Sequence, residues 1–219
     1  MTKHEFKHYA KRKEKKSKIV MFTILFLILL ILAGGLFFIR PLIVKNNYST
    51  YNHFEFEQSG DYWQTYVQYG KYTTPITFYN HPLDIDYSYY NENITNYILE
   101  KPHSAFVIAI RDDAGSVPVI AGINIARILG EKFYGFKVSS ALYFDDEMKN
   151  ATNTTFPVVS CSDATLSQPV IFIDVNASTN EIDFDESNKN CIHLKTISSA
   201  KEDVLPIADL LVYKILEIM

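Results

Sequence analysis

The longest apolar run in the chain is residues 19–39, IVMFTILFLILLILAGGLFFI, which holds no charged side chain. At about 1.5 Å per helical residue it spans about 31 Å, the thickness of a hydrocarbon core, so the pattern predicts a transmembrane helix over 19–39. Eight basic residues precede it: Lys3, Lys7, Lys11, Arg12, Lys13, Lys15, Lys16 and Lys18. Only Arg40 and Lys45 follow closely. The positive-inside bias then predicts a basic cytoplasmic tail over 1–18 and an extracytoplasmic chain from residue 40 onward. This is the pattern of an uncleaved signal anchor. A cleaved signal peptide would have a shorter apolar core ending in small residues; Ala33 and Gly35 meet the second condition and the run fails the first. A pilin-like leader shares the basic stretch ending Lys16-Ser17-Lys18 and would make the chain a filament subunit. Gly34 and Gly35 are adjacent rather than four apart, so no small-residue seam for helix pairing is read.

Past the run, the period changes. Over 40–103, short alternating stretches (His53–Glu57, Trp63–Tyr69, Pro75–Tyr79) are separated by turn signals at Ser59-Gly60-Asp61, Gly70 and Asn80-His81-Pro82. That predicts a small β-meander of two or three antiparallel strands. Eleven of the fifteen tyrosines and the single Trp lie in 40–100, so the meander is aromatic-rich. Half-buried strands ordinarily use such residues; a carbohydrate-stacking face is the functional alternative. Residues 84–103 read as a connector with a short helix at 91–99.

Residues 104–219 read as an α/β domain. Ala105–Ile110 is a continuous apolar run of strand length, the signature of a strand buried on both faces. The polar loop Arg111–Ser116 follows. Val117, Ile120, Ala121, Ile125 and Ile128 then recur at helical spacing up to Gly130, with Ser116 as the expected N-cap and Pro118 in the first turn. Strands are predicted at Val138–Phe144, Thr155–Cys161, Pro169–Val175 and Cys191–Lys195, with Glu181–Phe184 as a hairpin arm. A C-terminal helix runs from about Asp203 to Ile218; the alternative cap, a Ser199…Glu202 capping box, would leave Pro206 to kink it. The expected fold class is therefore mixed α+β: a transmembrane helix, a β-meander, then an α/β domain closed by a helix.

Charge narrows the function. The chain has 21 Lys/Arg and 25 Asp/Glu; without the eight basic and two acidic residues of the tail, 13 and 23 remain, a net −10. An acidic outer domain argues against nucleic acid, whose phosphates need a basic face. Cys161 and Cys191 both lie in the outer part, so one disulfide is predicted, closing a loop of about 30 residues and worth roughly 3 kcal/mol by chain entropy. A nucleophilic Cys161 approached by His193 is the alternative. Five N-x-S/T sequons, at Asn47, Asn93, Asn150, Asn153 and Asn176, are candidate glycosylation sites on a surface protein.

The candidate ligand loop is Arg111, Asp112, Asp113 and Ser116. It leaves a central-type strand for a helix N-terminus, where α/β folds place ligands and where free N–H groups attract anions. Two carboxylates in the loop oppose a phosphate and suit a cation instead, though neighbours on a strand exit point apart. A capped, solvated turn with acids complementing the helix dipole has the same sequence. Asp145-Asp146-Glu147 reads as a solvated loop. His53, His81, His103 and His193 lack ligand spacing, and no HExxH, CxxC, GxSxG or Gly-rich phosphate loop occurs, so no catalytic residue, metal or cofactor is assigned.

Three stretches carry a resemblance: Phe54-Glu55-Phe56 with Asp61–Thr65; Pro157–Thr165 with Pro169-Val170-Ile171; and Asn190–Leu194 leading into Ala208–Tyr213. On these the outer part resembles uncharacterised membrane-anchored proteins of small-genome archaea. Residues 106–129, with Val119-Ile120-Ala121 and Ile123–Ala126, are similar to a segment of archaeal surface-layer proteins. The first resemblance implies no activity and the second implies a cell-envelope role. The expectation is a single-pass membrane protein, held in the bilayer by 19–39, whose extracytoplasmic domain binds or organises another envelope protein or surface polymer. An extracytoplasmic enzyme working at the Arg111–Ser116 loop, or a pilin-like or secretion-machinery subunit, is the alternative.

Overall fold

The alternation over the tyrosine-rich segment folds as four antiparallel strands: β1 (Tyr48–Tyr51), β2 (Phe54–Ser59), β3 (Tyr62–Tyr69) and β4 (Tyr72–Phe78), in the order β1-β2-β3-β4. Period-2 placement turns Phe56, Thr65, Val67, Ile76 and Phe78 inward, all buried, and leaves Tyr66 in solvent; Tyr72 shares the parity of Ile76 and is exposed at the end of its strand. The hairpin turns use Gly60 (φ 63°) and Gly70 (φ 60°), a region that L side chains rarely adopt. The computed structural model describes residues 21, 23–30, 48–85, 89–100, 102–130, 132–149 and 154–219. Residues 1–47 and 48–219 are separate units. In the first, Met21 and 23–30 are helical with exposed side chains. The basic tail and the other positions of the 19–39 run lie outside the described residues, as do Asn47, Asn150 and Asn153. Among the described residues no helix is long and apolar enough to cross a membrane.

The second sheet has seven strands. β5 (Tyr89–Tyr90) precedes helix α1 (Asn93–Glu100); β6 (Ala105–Ile110) leads into α2 (Ser116–Leu129) and β7 (Lys137–Tyr143). A four-residue helix, α3 (Asp146–Lys149), comes before β8 (Val158–Val159), β9 (Val170–Val175), β10 (Glu181–Phe184), β11 (Cys191–Thr196) and α4 (Lys201–Ile215). The order is β5-β10-β11-β9-β6-β7-β8. β8, β7, β6, β9 and β11 are mutually parallel, whereas β10 runs antiparallel to β11. Taken alone, the parallel strands follow the order 3-2-1-4-5 of open doubly wound sheets, with the reversal between β6 and β9.

Period 2 also gives this sheet two different faces. Phe106 and Ile108 of β6, Ile171 and Ile173 of β9, Ile192 and Leu194 of β11 and Ile182 of β10 share one buried cluster with α1, α2, α4 and the inner face of the meander. α4 sits at its centre: the Tyr213 ring stacks on Phe78 at 4.1 Å and meets Phe56 edge-on at 6.1 Å. The opposite face carries a smaller cluster around Val107, Ala109, Ala141, Tyr143, Val170 and Phe172, covered by the 160–164 segment rather than by a long helix.

Several expected elements shift. The meander has four strands, because Tyr48–Tyr51 pairs antiparallel with β2 through the turn at Asn52 and His53, both at positive φ. The Thr155–Cys161 strand shortens to Val158–Val159, since Cys161 opens a 3-10 turn closed by a Ser160–Asp163 capping box. Ser116 is the first helical residue of α2 rather than its cap; the cap is Gly115, whose φ of 82° suits glycine and which makes no side-chain bond. α4 starts at Lys201 with Ala200 as its cap, so neither Asp203 nor Ser199 caps it; Asp203 instead accepts from the Ser198 hydroxyl, and Pro206 lies inside the helix.

Candidate functional site

The reversal of strand order places the Arg111–Ser116 loop at the C-terminal edge of β6, beside β9. Asp112 and Asp113 are exposed in the turn, which the Ala114 N–H closes onto the Arg111 carbonyl at 3.2 Å. Arg111 alone of the four predicted loop residues turns back across the sheet. Its guanidinium carbon stands 5.8 Å from the Tyr143 ring centre and 5.7 Å from that of Phe172. Those two rings are themselves stacked at 3.6 Å. Arg111 Nε lies 3.7 Å from Asp174 Oδ1, too far for a hydrogen bond, and is buried with no hydrogen-bond partner among the described residues.

Register continues the row. Asp174 is opposite Lys195, and Lys195 is opposite Glu181, to which its ammonium donates at 2.5 Å. One line across the face opposite α2 and α4 thus reads Tyr143, Arg111, Asp174, Lys195, Glu181, with charges of alternating sign. Hydrogen bonding to Glu181 pushes the Lys195 ammonium up from its ordinary pKa. Burial pushes the Tyr143 phenol up, with Asp145 and Asp185 adding and Arg111 opposing.

The next line back holds Phe172, His193 and Asp183 in register. His193 meets Phe172 edge-on at 5.2 Å. Its Nε2 lies 3.0 Å from Cys161 Sγ and 3.5 Å from Asp185 Oδ2. Burial lowers the His193 pKa even though Asp185 and Asp174 pull it up. Asp185 is held below the usual carboxylate range: burial raises it, and hydrogen bonds from Ser187 and Asn188 outweigh that. The predicted Cys161–Cys191 disulfide is present, with Cα atoms 5.3 Å apart, and both cysteines are buried. The predicted loop and the predicted bridge therefore meet on one sheet face, joined by Phe172 and His193.

A second histidine is close to a hydroxyl. His81 Nε2 and Ser49 Oγ form a short hydrogen bond, while His81 Nδ1 accepts the Leu83 N–H at 3.2 Å. With Nδ1 accepting, the neutral ring carries its proton on Nε2 and donates to Ser49, the reverse of a base that activates a nucleophile. Burial lowers its pKa and keeps it neutral. The pair is a structural clamp under Trp63, whose ring lies 4.6 Å from the imidazole.

Asn93 and Asn176 are exposed, the latter at a φ of 67° just past β9. Sequence reasoning did not assign Tyr143, Phe172, Asp174, Lys195 or Glu181 to the site. For Asp174 and Lys195 the signal is the polar residue two positions after Phe172 and His193, in PVIFIDV and CIHLKT, which marks a half-exposed face on those strands. Comparisons with protein-family models, with curated proteins and with solved structures give no match. The class that the fold itself defines is a mixed α+β protein, a four-stranded antiparallel sheet and a seven-stranded mixed sheet sharing a C-terminal helix.

Proposed function

We propose that the chain is a single-pass cell-envelope protein, anchored in the bilayer by 19–39 with its tail in the cytoplasm, whose outer domain binds another surface component on the face of its large sheet opposite α2 and α4. The carrying observation is the row Tyr143–Arg111–Asp174–Lys195–Glu181 at the point where the strand order reverses, the place where open α/β sheets hold ligands. Two cations and two carboxylates set at strand spacing recognise a partner by the position of its charges rather than by their sum. The Arg111 side chain is 39% exposed, so the outer N–H groups of its guanidinium are within reach of a partner's acceptor group. The charge step across the apolar run and the resemblance to archaeal membrane-anchored proteins support the topology.

Photo-cross-linking in native membranes tests the reading. A cross-linking residue placed at Lys195 and, separately, at Glu181 should give one shared adduct, and one placed at Tyr72 on the far sheet should not. Equal adducts from Tyr72, or none from the row, would sink it. Protease added to intact cells should remove the outer domain and spare the first 40 residues. The second reading, an extracytoplasmic enzyme, is favoured by the position of the Arg111–Ser116 loop at the reversal point. It requires that the full chain turn over an envelope substrate and that Asp112→Asn with Asp113→Asn abolish this while the fold survives.

A further inference from the structure

We propose that Cys161, Cys191 and His193 form a redox-gated site for a borderline divalent cation of the zinc class: closed while the disulfide stands, and opened to the metal on reduction.

The placement comes from the strand. Cys191 and His193 are two apart on β11, so their side chains share one face of the sheet. Cys161 reaches the same spot from the 3-10 turn, and the three ligand atoms lie within 4.8 Å of one another. Asp185 Oδ2, 3.5 Å from the imidazole Nε2, adds an oxygen donor beside them. Two sulfurs and an imidazole suit zinc or cobalt and do not suit magnesium or calcium, which take oxygen.

Contacts other than the disulfide also hold the turn bearing Cys161. The Asn188 side-chain amide donates to the Cys161 carbonyl at 2.7 Å and to the Ala164 carbonyl at 2.9 Å. Asp163 accepts from the Ser160 N–H at 2.8 Å and from its hydroxyl at 3.0 Å. With the bond broken, these contacts keep Cys161 over β11, so the sulfurs separate by side-chain rotation while the ligand set stays together. A dithiol reductant supplies two electrons and two protons: it closes to its own cyclic disulfide, the Cys161–Cys191 bond breaks, and each sulfur becomes a thiol. The cation then displaces both thiol protons to solvent and is held by two thiolates and by His193 Nε2, with the imidazole proton on Nδ1. Two thiolates neutralise the dication, which makes its burial in this cluster tolerable.

The test uses the full chain in detergent, reduced anaerobically with a dithiol that is then removed, and titrated with Co²⁺ and afterwards Zn²⁺. The reduced chain should bind one cobalt with a thiolate-to-cobalt charge-transfer band that zinc abolishes, and zinc should protect both cysteines from alkylation. The oxidised chain should bind neither. His193→Ala should still form the disulfide on oxidation but, once reduced, should bind cobalt at least ~10-fold more weakly. If reduction unfolds the chain, zinc should restore its far-ultraviolet circular dichroism. No cobalt uptake by the reduced chain, equal affinity in His193→Ala, or a reduced chain that stays unfolded in saturating zinc would each overturn the proposal.

Discussion

Replacing Asp209 by Asn should remove a pH dependence that one buried carboxylate imposes on the whole domain. Asp209 lies on α4, 2% exposed. Its Oδ2 accepts the Tyr79 N–H and the Asn80 N–H, both at 2.9 Å, and the Asn80 side-chain amide at 3.0 Å. Burial pushes its pKa up to about 7 against the pull of those three hydrogen bonds. In the unfolded chain the group ionises near ~3.9. The folded state therefore binds the proton more tightly, so the contribution of this group is fully present below ~pH 4 and is lost as pH rises to about 7. At 1.36 kcal/mol per pH unit the loss is about 4 kcal/mol. An Asn at 209 keeps an acceptor oxygen for the two backbone N–H groups and carries no charge. Urea unfolding of both proteins from about pH 4 to about pH 8 should show the stability difference moving by about 4 kcal/mol in favour of the variant. Taking the difference cancels His81 and His193, whose lowered pKa values act the other way: their contribution is lost as pH falls below ~6.5. A difference independent of pH would refute the reasoning.

Tyr213→Phe should cost about 1 kcal/mol in the same assay, because it removes only the 2.6 Å bond from the phenol to the Asn80 carbonyl and keeps the stacking on Phe78. Gly115→Ala should cost about 1–3 kcal/mol through backbone strain alone, since an added Cβ meets no atom within 4 Å; a larger loss would mean that the loop packs more tightly than it does here. Cys161→Ala with Cys191→Ala should lower stability by roughly 3 kcal/mol with an unchanged far-ultraviolet spectrum, and a neutral result would mean that the unfolded chain is already constrained.

The local text was most legible where one period ran uninterrupted. Ala105–Ile110 and Glu181–Phe184 form strands at their predicted bounds, and α2 runs along its apolar stripe to Leu129. Less legible were boundaries decided by distant partners. Pro206 is carried inside α4 because Leu205, Ile207 and Ala208 around it are buried in the shared core, and that tertiary gain outweighs one missing backbone bond. Val158–Val159 reads like a longer strand, but the capping box at Ser160 ends it. The site was half legible. The Arg111 loop and the two cysteines stand out by residue type, yet their meeting depends on strand order, and order is set by pairings across the sheet that no local window contains. Asp174, Lys195 and Glu181 look like ordinary solvated charges until the register aligns them.

The contact between Asp209 and Asn80 joins residues 129 positions apart, and it lies in the core that both sheets share with α4. Synthesis proceeds from the N-terminus, so the four-stranded sheet is complete long before its covering helix exists. At roughly 5–20 residues per second, the ribosome needs about 6–26 s to make the intervening stretch. During that interval Phe56, Ile76 and Phe78 have no α4 to cover them. The apolar face of the first sheet therefore stays without its native cover until α4 is made, and the shared core closes only in a late docking step.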